Sequence, residues 1–474
     1  MAIGALWIYG SQVGTILLQF GYAAITSRAL DPAAFGAYSV ALTVAALAGL
    51  LANGGLGQTV ARVQSLTSAT VEGLLTLALL VGLIGASALY LTSGFWSALW
   101  SAPDAELLLK VMAISAFISP CLGLTSGLVR RLGRFRQLSI GILASNLLGM
   151  ALSLAVLAVH PSAIALTVSP VAAQLAQLAT FLYLGRGVVR RPGNLRPVRT
   201  HLSFSGKIML TFLLAYATGN LPRLAGSHAL GTAFLGQLNR AEVLSSIPLQ
   251  QLQNAIVQAV YPEFRHDEKS PVRAFRVWTD MLGVIAWLVG PIAGLGCVAI
   301  PALLPVIFGD GWELAATLTV PLVLLGAVQM PTVVLMSGIE AIGRFAWIWF
   351  TQALALVASC AGAVLAWQLH SWVPVVIAPL AATIVQHLVH VAVAISWGYV
   401  DGRRLLLFYV GGLLAGVAVG ASAYACKYAA FADGATGWGR ILGGLALLCP
   451  VIAAFLFRRQ LPISKLLATY SILR

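Results

Sequence analysis

Residues 236–258 read Gly236-Gln237-Leu238-Asn239-Arg240-Ala241-Glu242-Val243-Leu244-Ser245-Ser246-Ile247-Pro248-Leu249-Gln250-Gln251-Leu252-Gln253-Asn254-Ala255-Ile256-Val257-Gln258. They sit in a longer stretch, 220–265, entered through Asn220-Leu221-Pro222-Arg223, and no other hydrophobic segment of the chain is so polar. At about 100° per residue, Arg240, Ile247, Gln251, Asn254 and Gln258 fall within roughly a 60° arc of a helix. At about 1.5 Å rise per residue the stripe is roughly 27 Å long, close to the thickness of a bilayer core. Amides and a guanidinium do not face lipid cheaply: an arginine at the bilayer centre costs about 2.5–3.5 kcal/mol even on a lenient scale. The stripe reads as the wall of a polar cavity. The plainer alternative is a buried seam, because Gln and Asn hydrogen-bond well between membrane helices.

The surrounding chain calls for a membrane. Of 474 residues, 59% are hydrophobic and only 9% are charged, with long apolar runs from end to end, as in a polytopic helical protein. The net charge of +14 does not indicate nucleic-acid binding, because the basic residues are scattered over short loops. Cys121, Cys297, Cys360, Cys426 and Cys449 stand singly in apolar runs without a CxxC spacing. They read as packing residues, so no metal site and no disulfide is expected. The N-terminus lacks a charged leader and a cleavage signal, and its first apolar run reads as a retained span.

Spans fall near 4–27, 36–60, 73–92, 107–129, 137–159, 163–185, 205–227, 231–262, 280–307, 314–338, 346–369, 373–397, 404–426 and 438–457. An even number puts both termini on one side. With that side cytoplasmic, the outer loops hold only Arg28, Lys110, Arg223, Lys427 and Arg440, Arg240 lies within a span, and the rest of the 28 basic residues face the cytoplasm. That bias sets the orientation. The longest polar linker, Arg186 to Lys207, separates spans six and seven.

That linker joins two copies of one unit. Ala29-Leu30-Asp31-Pro32-Ala33-Ala34-Phe35-Gly36 aligns with Ala229-Leu230-Gly231-Thr232-Ala233-Phe234-Leu235-Gly236, and Ala41, Gln58 and Val60 recur as Ala241, Gln258 and Val260. Farther on, Pro120, Ser126 and Gly127 recur as Pro331, Ser337 and Gly338, and Gly133-Arg134-Phe135 as Gly343-Arg344-Phe345. Pro170, Ala172, Ala173 and Gln177 recur as Pro379, Ala381, Ala382 and Gln386. Collinear matches at Pro, Gln, Arg and Gly, about 200–210 residues apart, indicate a duplication. Six spans separate the copies, so both have the same orientation. The expected organisation is an N-lobe at 1–185, a cytoplasmic linker at 186–204, a C-lobe at 205–397, and two further spans with a tail at 398–474.

These same residues carry a resemblance. Ser27-Arg28-Ala29-Leu30-Asp31-Pro32-Ala33-Ala34-Phe35-Gly36, Arg131-Leu132-Gly133-Arg134-Phe135-Arg136, Leu235-Gly236-Gln237-Leu238-Asn239-Arg240-Ala241, Tyr261-Pro262-Glu263-Phe264 and Pro305-Val306-Ile307-Phe308-Gly309-Asp310-Gly311-Trp312 are similar, in order and spacing, to motifs of the Wzx-type polysaccharide flippases. These belong to the MOP superfamily, with the lipid II flippases and the MATE exporters. The resemblance is clear over roughly residues 15–350. It implies a two-lobed, alternating-access transporter, not an enzyme, with no cofactor beyond possible H⁺ or Na⁺ coupling. The implied cargo is a polyprenyl-diphosphate-linked oligosaccharide moved to the outer leaflet, with membrane lipid and polysaccharide-assembly enzymes as partners. Two positions depart from the family pattern: Pro222 stands where relatives often carry Asp, which removes a buried carboxylate, and Leu238 stands where an aromatic residue is usual.

The residues themselves point the same way. Guanidinium suits a diphosphate through paired planar hydrogen bonds, and amides supply both donors and acceptors to sugar hydroxyls. Candidate substrate residues are therefore Arg240, Gln251, Asn254, Gln258, its first-copy counterpart Gln58, Arg28 and Arg223. Candidate coupling residues are Glu242, His387 and His390, the two histidines sharing a face of span twelve. Glu242 lies about 200° from Arg240 on the helix, so the two do not pair directly, and Arg223 is its candidate partner. A MATE-like exporter of cations is the nearer alternative, but it calls for an embedded acid in the first lobe, where Asp31, Asp104 and Glu106 lie in outer loops and Glu72 at the cytoplasmic edge. A membrane glycosyltransferase would start from Asp104 and Glu106, which read equally well as acids at a helix start.

Overall fold

A computed structural model describes residues 2–53, 67–186, 191–195, 202–267 and 271–431. All regular structure among them is helical: α1 Ala2–Ala29, α2 Pro32–Asn53, α3 Ser68–Leu91, the short α4 Ser93–Leu99, α5 Ala105–Arg131, α6 Phe135–Val159, α7 Ala163–Leu184, α8 Leu202–Leu230, α9 Thr232–Asp267, α10 Pro271–Phe308, α11 Glu313–Ala341, α12 Phe345–Leu369, α13 Val373–Ser396 and α14 Gly402–Phe431. Each expected span up to 404–426 falls on a helix wherever its residues are described; the end of the span at 36–60, from residue 54 on, and the whole span at 438–457 lie outside the described residues. Ten of these helices are long and apolar enough to cross a bilayer. The polar α9 is not among them.

Local chemistry sets the breaks. Asp31 accepts a hydrogen bond from the Ala34 N–H at 2.8 Å, and Pro32 fits the first helical turn, which needs no donor there. Between α8 and α9, Gly231 takes φ +81°, a left-handed turn open to glycine. The break falls between the expected spans 205–227 and 231–262, so the polar stretch 220–265 is shared by two helices: Asn220, Pro222 and Arg223 lie inside α8, and Arg240 lies in α9. Pro222 is accommodated within that helix, as membrane helices allow when neighbouring groups re-satisfy the backbone.

Matched residues of the two copies take matched conformations. Gly133 and Gly343 have φ +70° and +78°. The following arginine N–H bonds five residues back in each, Arg134 to the Val129 carbonyl and Arg344 to that of Ile339. Both arginine side chains then reach the end of a later helix: Arg134 donates to the Leu184 carbonyl at 2.6 Å, and Arg344 stacks on Trp397 at 4.6 Å.

Backbone contacts divide the described chain into two compact units. The first contains residues 1–240, 308–312 and 359–375; the second contains 241–307, 313–358 and the chain from 376 onward. In the first unit, α2 and α9 cross at a pair of glycines. A Cβ on Gly36 would overlap the Thr232 carbonyl oxygen, and one on Gly236 would overlap that of Pro32. Gly36 and Gly236 are counterparts in the repeat, as are Pro32 and Thr232, so each copy presents to the other what it receives. Linker residue Gly193 is fixed on α3: its N–H bonds the Thr76 hydroxyl at 2.8 Å, and that hydroxyl reaches the Gly193 carbonyl at 2.8 Å.

In the second unit α14, outside the repeat, packs on α10 through small residues. A Cβ on Gly290 or Gly294 would overlap the carbonyls of Gly412 or Gly416, and Gly412 in turn meets the Ala286 carbonyl. Such spacing lets membrane helices approach backbone to backbone. Arg404 pairs with Asp280 at 2.8 Å at one end of this seam. A core of Trp278, Leu282, Ile285, Met330, Val334 and Leu405 fills the unit.

Candidate functional site

Arg240 ends the first unit, about 12 Å into α9. Its side chain is 4% exposed. The guanidinium lies over the Phe35 ring, 3.9 Å from the centroid, with the Tyr22 and Tyr38 phenols within electrostatic reach. Its buried Nε has no hydrogen-bond partner, and among the described residues no carboxylate is paired with it. A buried cation normally requires a counter-charge or full hydrogen bonding. This one lies against an aromatic face, with its Nε donor unpartnered.

Phe35 continues the chain of contacts. Its ring meets Trp312 edge-on at 5.5 Å, and Phe308 meets Trp312 at 6.1 Å. The Trp312 indole N–H donates to the Ser27 carbonyl at 3.1 Å, and Gln237 donates to that of Gly311. The end of α1 thereby rests on the turn that follows α10. The counterpart corner is built alike. His228, at the end of α8, donates from Nε2 to the Leu99 carbonyl at 2.7 Å, and its Nδ1 accepts from the Ser101 hydroxyl at 2.8 Å.

The other expected site residues divide. Gln251 is half-buried and Asn254 exposed, whereas Gln253, off the expected stripe, is buried. The Gln258 side chain and Gln58 lie outside the described residues. Arg28 is exposed, its Cγ 3.7 Å from where a Cβ on Gly309 would stand. Arg28, Arg223 and Glu242 are each engaged by other groups. His387 and His390 are buried in the second unit, where their Nε2 atoms meet the Tyr409 hydroxyl at 2.9 Å and Thr351 Oγ1 at 3.0 Å. Glu106 pairs with Lys110 one turn on, at 2.7 Å, as an acid opening a helix. Two clefts of the first unit hold none of the expected polar residues. One, of about 400 Å³, lies between α8 and α12; the other, of about 490 Å³, lies between α2, α3 and α4.

Tyr22, Phe35, Tyr38 and Trp312 were not candidates from sequence. Phe35 and Trp312 do fall in two of the family-like motifs, whereas Tyr22 carries no sequence signal.

Comparison with known proteins agrees with this architecture. The structure superposes on the lipid II flippase MurJ in its inward closed conformation with a TM-score of 0.68 and 11% identity, covering 97% of this chain and 100% of that one. The eukaryotic MATE transporter AtDTX14 gives a TM-score of 0.57 at 12% identity, over 87% and 98% of the two chains. At these identities the likeness is one of fold. In sequence, the succinoglycan biosynthesis transport protein ExoT of Rhizobium meliloti (strain 1021) is 27% identical over 364 residues, 76% of this chain and 72% of that protein. Residues 25–317 match the polysaccharide biosynthesis protein family. The chain is a multi-pass helical membrane protein with the fold of the MOP-superfamily flippases and exporters, and it belongs to the polysaccharide biosynthesis protein family.

Proposed function

We propose that this protein moves a polyprenyl-diphosphate-linked oligosaccharide from the cytoplasmic to the outer leaflet of a bacterial inner membrane by alternating access, with both termini cytoplasmic. The observation that carries the reading is Arg240: a buried guanidinium, unpaired with acid among the described residues, in a member of the polysaccharide biosynthesis protein family with a MOP-superfamily fold. Diphosphate is the anion its planar fork fits, and Gln251, Asn254, Gln258 and Gln58 are the sugar-facing candidates. The rival cargo, a cationic drug, needs a buried acid that these residues do not supply. A strain lacking the protein should accumulate one oligosaccharide-loaded polyprenyl diphosphate on the cytoplasmic side and should lose the corresponding surface glycan. Normal glycan together with increased drug retention would replace the flippase with an exporter.

Proton coupling runs, in this reading, through His387 and His390. The Thr351 hydroxyl lies within hydrogen-bonding distance of both the Ile348 carbonyl and His390 Nε2, and the buried Nδ1 atoms of His387 and His390 have no partner. In proteoliposomes, replacing both histidines with Gln should abolish stimulation of transport by a pH gradient while leaving substrate binding intact. Stimulation of wild-type size in that variant would assign the coupled proton to another group, Glu242 first.

A further inference from the structure

We infer that Phe35 is a competing seat for Arg240, so that the anion must draw the guanidinium off the ring, and that this release is passed through Trp312 to the outer corner. The inference rests on the reading of Arg240 as the diphosphate ligand. Three observations lead to it. Phe35 is fully buried and carries the guanidinium on its face. A buried aromatic face is a real competitor for a desolvated cation, yet it satisfies none of the guanidinium N–H groups, and Nε is left without a partner. The edge of the same ring packs on Trp312, whose N–H ties the turn after α10 to the end of α1. One ring thus touches both the binding cation and a closed corner.

The competition has a direction. With the guanidinium seated, the site is stable without substrate, because the cation keeps an aromatic partner. A diphosphate offers charge-assisted, paired hydrogen bonds that outweigh the ring, and taking them removes the cation from one face of Phe35. The ring then loses the contact that holds it against Trp312. Phe35 is a positioning residue: it acts through Arg240 and does not bind the ligand.

The test is binding of undecaprenyl diphosphate to the purified full-length protein, with 19F spectra of 5-fluorotryptophan-labelled samples in which the Trp312 signal is assigned with W312F. Phe35→Leu should bind the diphosphate about tenfold tighter than wild type while transporting it more slowly, because the seat no longer competes. Phe35→Trp should restore wild-type affinity. In wild type the diphosphate should shift the Trp312 signal, and in Arg240→Ala it should not. A purely structural role for Phe35 weakens binding on truncation, so a folded Phe35→Leu with unchanged or weaker affinity would overturn the inference. So would a Trp312 signal blind to the ligand in wild type. If either failure occurs while Arg240→Ala still loses binding, the ligand reading stands and only the seat falls. If Arg240→Ala binds like wild type, both fall.

Discussion

Arg240→Ala is expected to fold and accumulate in the membrane at the wild-type level while losing about ten- to a hundredfold in affinity for the lipid-linked diphosphate. A hydrogen bond to a charged group is worth about 1.5–3 kcal/mol, which sets that range. The same substitution at a structural ion pair would cost about 3–5 kcal/mol of stability by stranding a buried carboxylate. Arg240 has no such partner among the described residues, and its removal gives up chiefly the face of Phe35. Arg240→Lys should recover only part of the affinity, because ammonium keeps the charge and loses the planar fork. Binding to purified protein, together with a thermal unfolding midpoint for each variant, separates the two roles. Unchanged affinity in Arg240→Ala would remove the residue from the substrate site, and a collapsed midpoint would make it structural.

The second large effect is expected at the glycine crossing. Gly36→Leu should cost at least about 3 kcal/mol, the upper end of ordinary overpacking, because its Cβ meets a backbone carbonyl with no rotamer to yield. Gly236→Leu should behave the same way, since it meets the Pro32 carbonyl from the other copy. Gly21→Leu on α1 is the control: it is exposed, and nothing lies within 4 Å of a Cβ there. The fraction of monodisperse protein left after heating in detergent checks all three. Survival of Gly36→Leu equal to that of Gly21→Leu would mean the helices do not approach at this point.

The helices were legible because apolar windows of span length have few other fates. The duplication was legible because Gly133 and Gly343, or Pro120 and Pro331, mark positions where backbone need restricts the choice of residue. Pro222 opens the polar stretch in sequence yet lies within α8, inside the expected span 205–227, since proline interrupts a helix in water more reliably than in a bundle of membrane helices. Periodicity placed Gln251 and Asn254 on one face but did not say what covers that face, and it is the neighbouring Gln253 that is buried. Arg240 stood out as a cation in a span. Its partner did not, because Phe35 in an apolar stretch looks like any packing residue, and the two lie far apart in sequence.

The pinned glycine of the linker sets a leash. The polar segment between the two copies looks long enough to let them drift, but Gly193 is tied to Thr76 near the start of α3, and α8 begins at Leu202, nine residues later. Fully stretched, those residues span at most about 32 Å. Whatever rearrangement the helices undergo, the beginning of α8 stays within that radius of α3 for as long as the pin holds. Lengthening the segment before the pin adds nothing to the stroke; lengthening it after the pin does.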